Sequence, residues 1–306
     1  LEANKMAVAT LLQAMSAPGD FTAADALIAP DFVVHFDSGD IDWDAMKVSA
    51  QGVITAMPDV TYTPLIMLAE GNSVALRYDF TGTFTSPLVN FDGSVLPPTN
   101  APVVIQSNAI LTFNDAGQIV EFREVFDSLS FFTQLGAFPM PEAAPAPMAE
   151  PLDPSIWTIA EVPADFTDAL ESAVLAANTA AYNAGDIDAL DAVTAPEYIS
   201  YPTMVGLDEN KAQIAALRAA IPDLQTTTDL LIAEGNWIAY FWTAAGTFSN
   251  PIDFGGMPLP PTNQPIQLQG IVFAVANADG QVVADWNEVD NLSIGMQFGM
   301  FPAAGQ

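Results

Sequence analysis

The sequence predicts a duplicated α+β fold, and three observations carry that expectation. The first is a phrase that occurs twice. Asp127 to Pro139 and Asp290 to Pro302 both read D-x-L-S-x-x-x-Q-x-G-x-F-P, and the copies lie 163 residues apart. The second is the order of periodicities. In each half, apolar residues recur at helical spacing first and strand-like runs follow, which is an α+β layout with a strongly bent antiparallel sheet. The third is the stretch from Met140 to Pro154, rich in proline and alanine, which reads as a stiff, extended linker. The expected organisation is one domain over 1–139, a linker over 140–154 and a second domain over 155–306. Residues 155–165 are expected to pack as an arm on one of the domains.

The elements follow in order. Residues 4–16 and 166–183 show helical spacing, and short helical segments follow near 22–28 and 187–194. Pro30 and Pro196 end these segments. A third helix is expected over 43–56 and again over 208–220. Thr61 to Ala69 and Ser73 to Phe84 flank Glu70-Gly71-Asn72 and form a hairpin; Ala69 to Asn72 recurs identically as Ala233 to Asn236. Polar loops over 86–101 and 249–265 lead to paired strands at 102–113 and 118–126, and at 265–276 and 281–289. Asn114 to Gly117 and Asn277 to Gly280 supply their turns. The repeated phrase closes each copy as a short helix. Other matches, such as Lys47 with Lys211 and Leu96 to Asn100 with Leu259 to Asn263, keep the offset between 163 and 166 throughout.

Composition excludes several classes of function. The 306 residues carry 6 Lys or Arg against 37 Asp or Glu, a formal net charge of −31. Such a surface repels nucleic acid and anionic lipid, so neither is an expected partner. There is no cysteine and a single histidine, which leaves neither thiol chemistry nor a zinc or iron site. No run of about 18 apolar residues is present, so no membrane-spanning helix is expected. The acidity, with a chain that starts at Leu1, points to an exported or periplasmic protein or to the cytoplasm of a salt-adapted organism. Asp37, Asp40, Asp42 and Asp44 form the densest acidic cluster. Ala45 and Gln51 stand where a calcium loop needs glycine and glutamate, so the cluster reads as an acidic helix start.

The ordered set of motifs resembles the SnoaL-like polyketide cyclase family, within the nuclear-transport-factor-2-like and ketosteroid-isomerase-like superfamily. Asn183 to Tyr198, Pro222-Asp223-Leu224, Asp229 to Asn236, Trp242 to Thr247, Pro260-Pro261-Thr262 and Asp285 to Leu292 carry the resemblance. It implies two tandem cone-shaped α+β barrels, each with N-terminal helices packed on a curved, mainly antiparallel sheet around a pocket. It also implies cofactor-free acid/base chemistry on a hydrophobic, polyketide-like carbonyl compound: a cyclase, isomerase or lyase. Family members commonly dimerise, so the tandem chain is expected to form an intramolecular pseudo-dimer.

Carried over position by position, Asp127 and Asp290 fall on the family's acid/base aspartate. Their residue type also suits a helix N-cap. His35 and Arg77 stand where the family places polar groups, and the resemblance makes them partners of Asp127. Tyr201 replaces the histidine in the second copy. With Trp242 and Trp286 it forms the expected substrate-binding set. Neither copy holds the complete family set, so an apolar-ligand-binding protein without catalysis is the alternative reading.

Overall fold

The first helix, α1 (Glu2–Met15), turns Val8, Leu11, Leu12 and Met15 inward. Its spacing of three and four residues makes that face continuous. In the structure, a computed structural model, residues 1–36, 39–89, 93–138, 154–163, 165–254 and 257–301 are described. Residues 140–153 of the expected linker lie outside them. The chain divides into two compact units, Leu1–Thr158 and Ile159–Gln306.

In the first unit, α1 and the short α2 (Thr22–Asp25) precede β1 (Ile28–Phe36) and β2 (Gly39–Ile41). Then come α3 (Trp43–Ala56), the hairpin β3 (Thr61–Glu70) and β4 (Ser73–Thr83), and a small hairpin of β5 (Leu88–Val89) and β6 (Val95–Leu96). The long strands β7 (Pro102–Phe113) and β8 (Ile119–Phe126) and helix α4 (Ser128–Gln134) complete it. The sheet runs β2-β1-β8-β7-β4-β3. All its pairs are antiparallel except β1 with β8.

The second unit repeats this order. It has α5 (Phe166–Thr179), continued by a π-helical turn to Ala184, and a 3₁₀ turn over Ile187–Ala192. These lead to β9 (Thr194–Tyr201), α6 (Leu207–Ala220), β10 (Gln225–Glu234) and β11 (Trp237–Thr247). The small hairpin of β12 (Ile252–Phe254) and β13 (Met257–Leu259) precedes β14 (Pro265–Ala276), β15 (Val282–Val289) and α7 (Asn291–Gln297). The sheet runs β10-β11-β14-β15-β9 and is again antiparallel apart from one parallel pair, β9 with β15. Among the described residues, no helix is long and apolar enough to cross a membrane.

Four stretches depart from the sequence reading. Residues 28–36 and 194–201 are strands, although Pro30 and Pro196 read as stops. Both prolines sit where the parallel pairing shifts register, between Ile28 and Val33 and between the pairs at Thr194 and Ile199. The missing N–H costs no ladder bond there. The loops 86–101 and 249–265 each contain a small hairpin.

The fold is stitched by contacts that occur in both units. Asp59 accepts hydrogen bonds from the Thr83 backbone N–H (2.7 Å) and hydroxyl (2.6 Å), and Asp223 does the same with Thr247 (2.7 and 2.9 Å). These bonds hold both carboxyls below the usual range. Lys47 reaches Asp25 and Asp44, and Lys211 reaches Asp188 and Asp191. The acidic run splits among separate tasks. Asp40 pairs with His35, Asp42 caps α3 through the Ala45 N–H, and Asp44 pairs with Lys47; Asp37 lies outside the described residues.

Each sheet has two faces, and strand alternation assigns side chains to them. The inner face packs on the helices. It carries Val74, Leu76, Tyr78 and Phe80 of β4 in the first unit, and Ile238, Tyr240 and Trp242 of β11 in the second. Residues of opposite parity, Arg77 and Phe241 among them, lie on the outer face.

The repeated aspartates begin the closing helices. Asp127 accepts from the Ser130 N–H at 3.1 Å, and Asp290 from the Leu292 N–H at 3.0 Å. Each satisfies a backbone donor that the first turn leaves without a partner. Alanine at either position is expected to lower the stability of its own unit by about 1 kcal/mol, read as a shift in urea midpoint with an unchanged slope.

Candidate active site

The inner faces hold the chemistry, and the two units differ there. In the second unit, Asp285 of β15 is enclosed by the sheet and helices yet keeps part of its surface accessible to water. Its Oδ2 accepts from the Tyr198 hydroxyl at 2.5 Å and its Oδ1 from the Ser200 hydroxyl at 2.6 Å. Both donors stand on β9, beside β15, where Ser200 is directly opposite Asp285. Burial pushes the carboxyl up to about 6, and the two hydroxyl bonds oppose that rise without cancelling it. Tyr182 and Tyr240 feel the same carboxylate. Burial and then the charge of Asp285 push the Tyr182 phenol up to about 12 and raise Tyr240 further. Both therefore stay protonated donors near neutrality. The Asn178 side-chain N–H donates to the Tyr240 oxygen at 3.0 Å and fixes it.

Trp242 closes the same face. Its Nε1–H donates to Asn287 Oδ1 at 3.1 Å. The indole lies flat across Gly270, where a Cβ would stand 2.7 Å from three ring atoms. Gly270→Ala is expected to push the indole off its partner. The cost is about 1–3 kcal/mol of overpacking, and a red-shifted tryptophan emission would report it.

In the first unit the acid is Glu124 of β8. Tyr78 donates its hydroxyl to Glu124 Oε1, and Ser107 bonds the carboxyl as well. Burial raises this carboxyl, and the two hydroxyls oppose the rise. Tyr62 and Tyr78 are both raised, first by burial and then by the charge of Glu124.

The pairing registers show that these acids are not equivalent. Val34 faces Phe122 in the first unit where Ser200 faces Asp285 in the second. Phe122 therefore occupies the position of Asp285, and Glu124 that of Asn287. The acid is displaced by one inner-face step, about 7 Å along the strand.

Of the residues expected from sequence, Trp242 lies on the inner face. Arg77 is buried on the outer face, bonded to Asn108 Oδ1 and Gln106 Oε1, each at 2.7 Å, with the Trp157 ring over its guanidinium. His35 is also on the outer face, between Asp40 and Glu121 at 2.8 Å each, and Arg123 reaches Glu121. Tyr201 stacks on Trp286 at 5.2 Å and Trp286 on Trp237 at 5.6 Å, again on the outer face. His35 and Arg77 thus share the outer face while Asp127 caps α4, and Tyr201 and Trp286 are on the opposite side of the sheet from Trp242. The sequence reading passed over Glu124 and Asp285. The signal for Glu124 was a charged residue in the apolar alternation Phe122-Glu124-Phe126.

Two curved sheets, each packed on its helices with a deep carboxyl bonded by hydroxyls on its inner face, define a duplicated α+β protein. The model of the SnoaL-like polyketide cyclase family matches residues 6–135 and 172–298, one match in each unit. The chain belongs to that family. Among solved structures, TsrD from Streptomyces laurentii is similar at 28% identity and a TM-score of 0.39, over 46% of this chain and 100% of that one. AclR from Streptomyces galilaeus, a proposed hydroxylase, is similar at 25% and 0.39, over 45% and 85%. IdmH from Streptomyces antibioticus, a proposed polyketide cyclase, is similar at 27% and 0.36, over 44% and 98%. No curated protein sequence matches the chain.

Proposed function

We propose that the second unit is a cofactor-independent acid/base catalyst of the cyclase or isomerase type. Asp285 removes a proton next to a carbonyl of a hydrophobic, polyketide-like substrate. The observation that carries this reading is a carboxyl held at about 6 by burial and still partly open to water, with the protonated Tyr182 and Tyr240 nearby. Such an acid is ionised at neutral pH and remains a stronger base than an exposed aspartate. Protonated phenols in the same space supply donors for the enolate oxygen. Trp242 forms an apolar wall for the substrate. Asp290 keeps its cap and fixes the start of the closing helix. The pairing of the two units as an intramolecular pseudo-dimer belongs to the same proposal. A single-chain mass in sedimentation at micromolar concentration is its expected sign.

The test is deuterium exchange at the methylene of a hydrophobic aryl β-ketoester, followed by NMR with the whole chain. The wild-type rate is expected to rise with pH around 6 and Asp285→Asn to lose the acceleration. If Asp290→Asn loses it and Asp285→Asn does not, the cap aspartate is the base. Wild-type exchange no faster than buffer leaves the binding alternative. Glu124, which differs in place and partners from Asp285, favours that alternative for the first unit.

A further inference from the structure

The second unit has a helix end that its copy lacks. In the first unit α1 stops regularly at Met15, and Ser16 leaves it in an extended conformation. In the second, α5 runs on into the π-helical turn Ala180–Ala184, closed by Gly185 at φ 79°. A π turn absorbs one extra residue, and such turns often occur at functional sites. Tyr62 of β3 donates its backbone N–H to Ser16 Oγ at 3.1 Å, and its counterpart Thr226 donates to Asn183 Oδ1 at 2.7 Å. Counted back from Gly19 and Gly185, however, Asn183 matches Ala17. The π turn has therefore shifted the register by one residue. Asn183 takes the place of Ser16, and Tyr182 falls where the first unit buries Met15.

Tyr182 is held from two sides. Asn183 clamps the chain to β10, since its Nδ2 also donates to the Thr226 carbonyl at 2.9 Å. The Tyr182 carbonyl, at a helix end where carbonyls lack intrahelical partners, accepts from Arg218 Nη1. Arg218 stands in the last turn of α6, and its cation meets the negative end of α5. The chain has 6 Lys or Arg against 37 Asp or Glu, yet this one is directed at a neutral carbonyl. Its guanidinium lies against Gly185, where a Cβ would stand 3.2 Å from Nε and 3.3 Å from Nη2. Ile54 occupies this place in the first unit, with Cδ1 2.6 Å from the Cβ position of Gly19. The arginine, the π turn and the inner-face tyrosine occur together in one unit, that of Asp285.

We propose that Arg218 is a positioning residue for Tyr182: by holding the carbonyl of the π turn it fixes the phenol beside Asp285. The consequence for chemistry rests on the reading of Asp285 as the base, because there the phenol donates to the enolate oxygen. A helix end without a partner frays and lets its side chains wander. The planar fork of an arginine on one side and the Asn183 clamp on the other restrict the backbone that carries the phenol. Arg218 itself touches neither Asp285 nor substrate and acts through Tyr182.

The experiment is carbon-13 NMR of the whole chain with its 6 tyrosines labelled at Cζ, followed across the titration of Asp285 near 6. The Tyr182 signal, assigned by its loss in Tyr182→Phe, is expected to shift as Asp285 ionises, and Asp285→Asn to abolish that step. Tyr198, bonded directly to Asp285, reports on the carboxyl itself. In Arg218→Ile, which installs the first unit's residue, the Tyr182 step is expected to shrink by roughly half as the phenol moves away. The Tyr198 step should stay. Arg218→Lys, a cation without the planar fork, should restore part of the Tyr182 step. In the deuterium-exchange assay Arg218→Ile is expected to lose about tenfold and Tyr182→Phe about 10²-fold. Adding Arg218→Ile to Tyr182→Phe should lose nothing further. An unchanged Tyr182 step in Arg218→Ile, or equal loss of the Tyr182 and Tyr198 steps, would overturn the positioning role. Losses that multiply in the double variant would overturn the route through Tyr182. Steps as expected with no wild-type exchange would uphold the positioning and remove Asp285 as the base.

Discussion

Asparagine in place of Asp285 is expected to make the second unit more stable at pH 8 while removing its chemistry. The free carboxyl titrates near 3.8 and the folded one near 6. A folded-state value above the unfolded one means that the native state holds its proton more tightly. Relative stability is therefore greatest below about pH 4, falls as pH rises to 6, and stays reduced above it. The difference corresponds to about 3 kcal/mol of penalty for the ionised form. Asparagine carries no charge, and the Tyr198 and Ser200 hydroxyls can each accept as well as donate. The variant should match the wild type near pH 4 and exceed it by up to about 3 kcal/mol at pH 8. Chemical denaturation followed by tryptophan fluorescence is suited to this, because Trp237, Trp242 and Trp286 all lie in the second unit. The same substitution should lower carbon-acid exchange by roughly 10²–10⁴. A variant less stable than the wild type at pH 8 would show that the hydroxyl bonds outweigh desolvation.

Trp286→Ala carries the second large effect, of opposite sign. Trp286 is almost wholly buried and sandwiched between Tyr201, nearly parallel at 6°, and Trp237 at 24°. Alanine removes the central ring of a three-ring stack, and the strands on either side cannot close the space. The expected cost is about 3–5 kcal/mol, or on the order of 10 °C in the melting temperature of this unit. Trp286→Phe keeps a ring in the stack and should recover more than half of the loss. Because Trp286 is on the outer face, exchange chemistry per folded molecule should be unchanged. A fall in catalytic rate without a fall in stability would place Trp286 in contact with substrate.

The duplication, the order of elements and the family could all be read from the sequence, because they rest on long periodic segments and repeated turns. Helix α3 spans Trp43–Ala56, the range its spacing predicts. The orientation of Arg77 was also legible. Val74, Leu76, Tyr78 and Phe80 alternate on one face and leave Arg77 on the other. The orientation of Asp285 and Trp286 was not. The pairing of β15 shifts register between the pairs at Val282 and Ala284. Val282 is inside, and simple alternation from it would turn Trp286 inward and Asp285 outward. The irregularity inverts that parity. A bulge of this kind depends on the partner strands, which a single sequence does not display. The strands containing Pro30 and Pro196 were missed for a related reason. A proline is tolerated where the ladder is already interrupted, and that interruption is a tertiary fact.

The bonds from Asp59 to Thr83 and from Asp223 to Thr247 recur in both copies, while the inner-face acids have moved. Backbone and latch are thus a constant against which the inner side chains vary. The chain is a matched pair of scaffolds, and each half can serve as the control for the other. A difference in ligand or rate between them can be traced to a handful of exchangeable positions. Converting Phe32, Val34, Phe122 and Glu124 to tyrosine, serine, aspartate and asparagine would write the second unit's inscription on the first, without disturbing the contacts that hold either page.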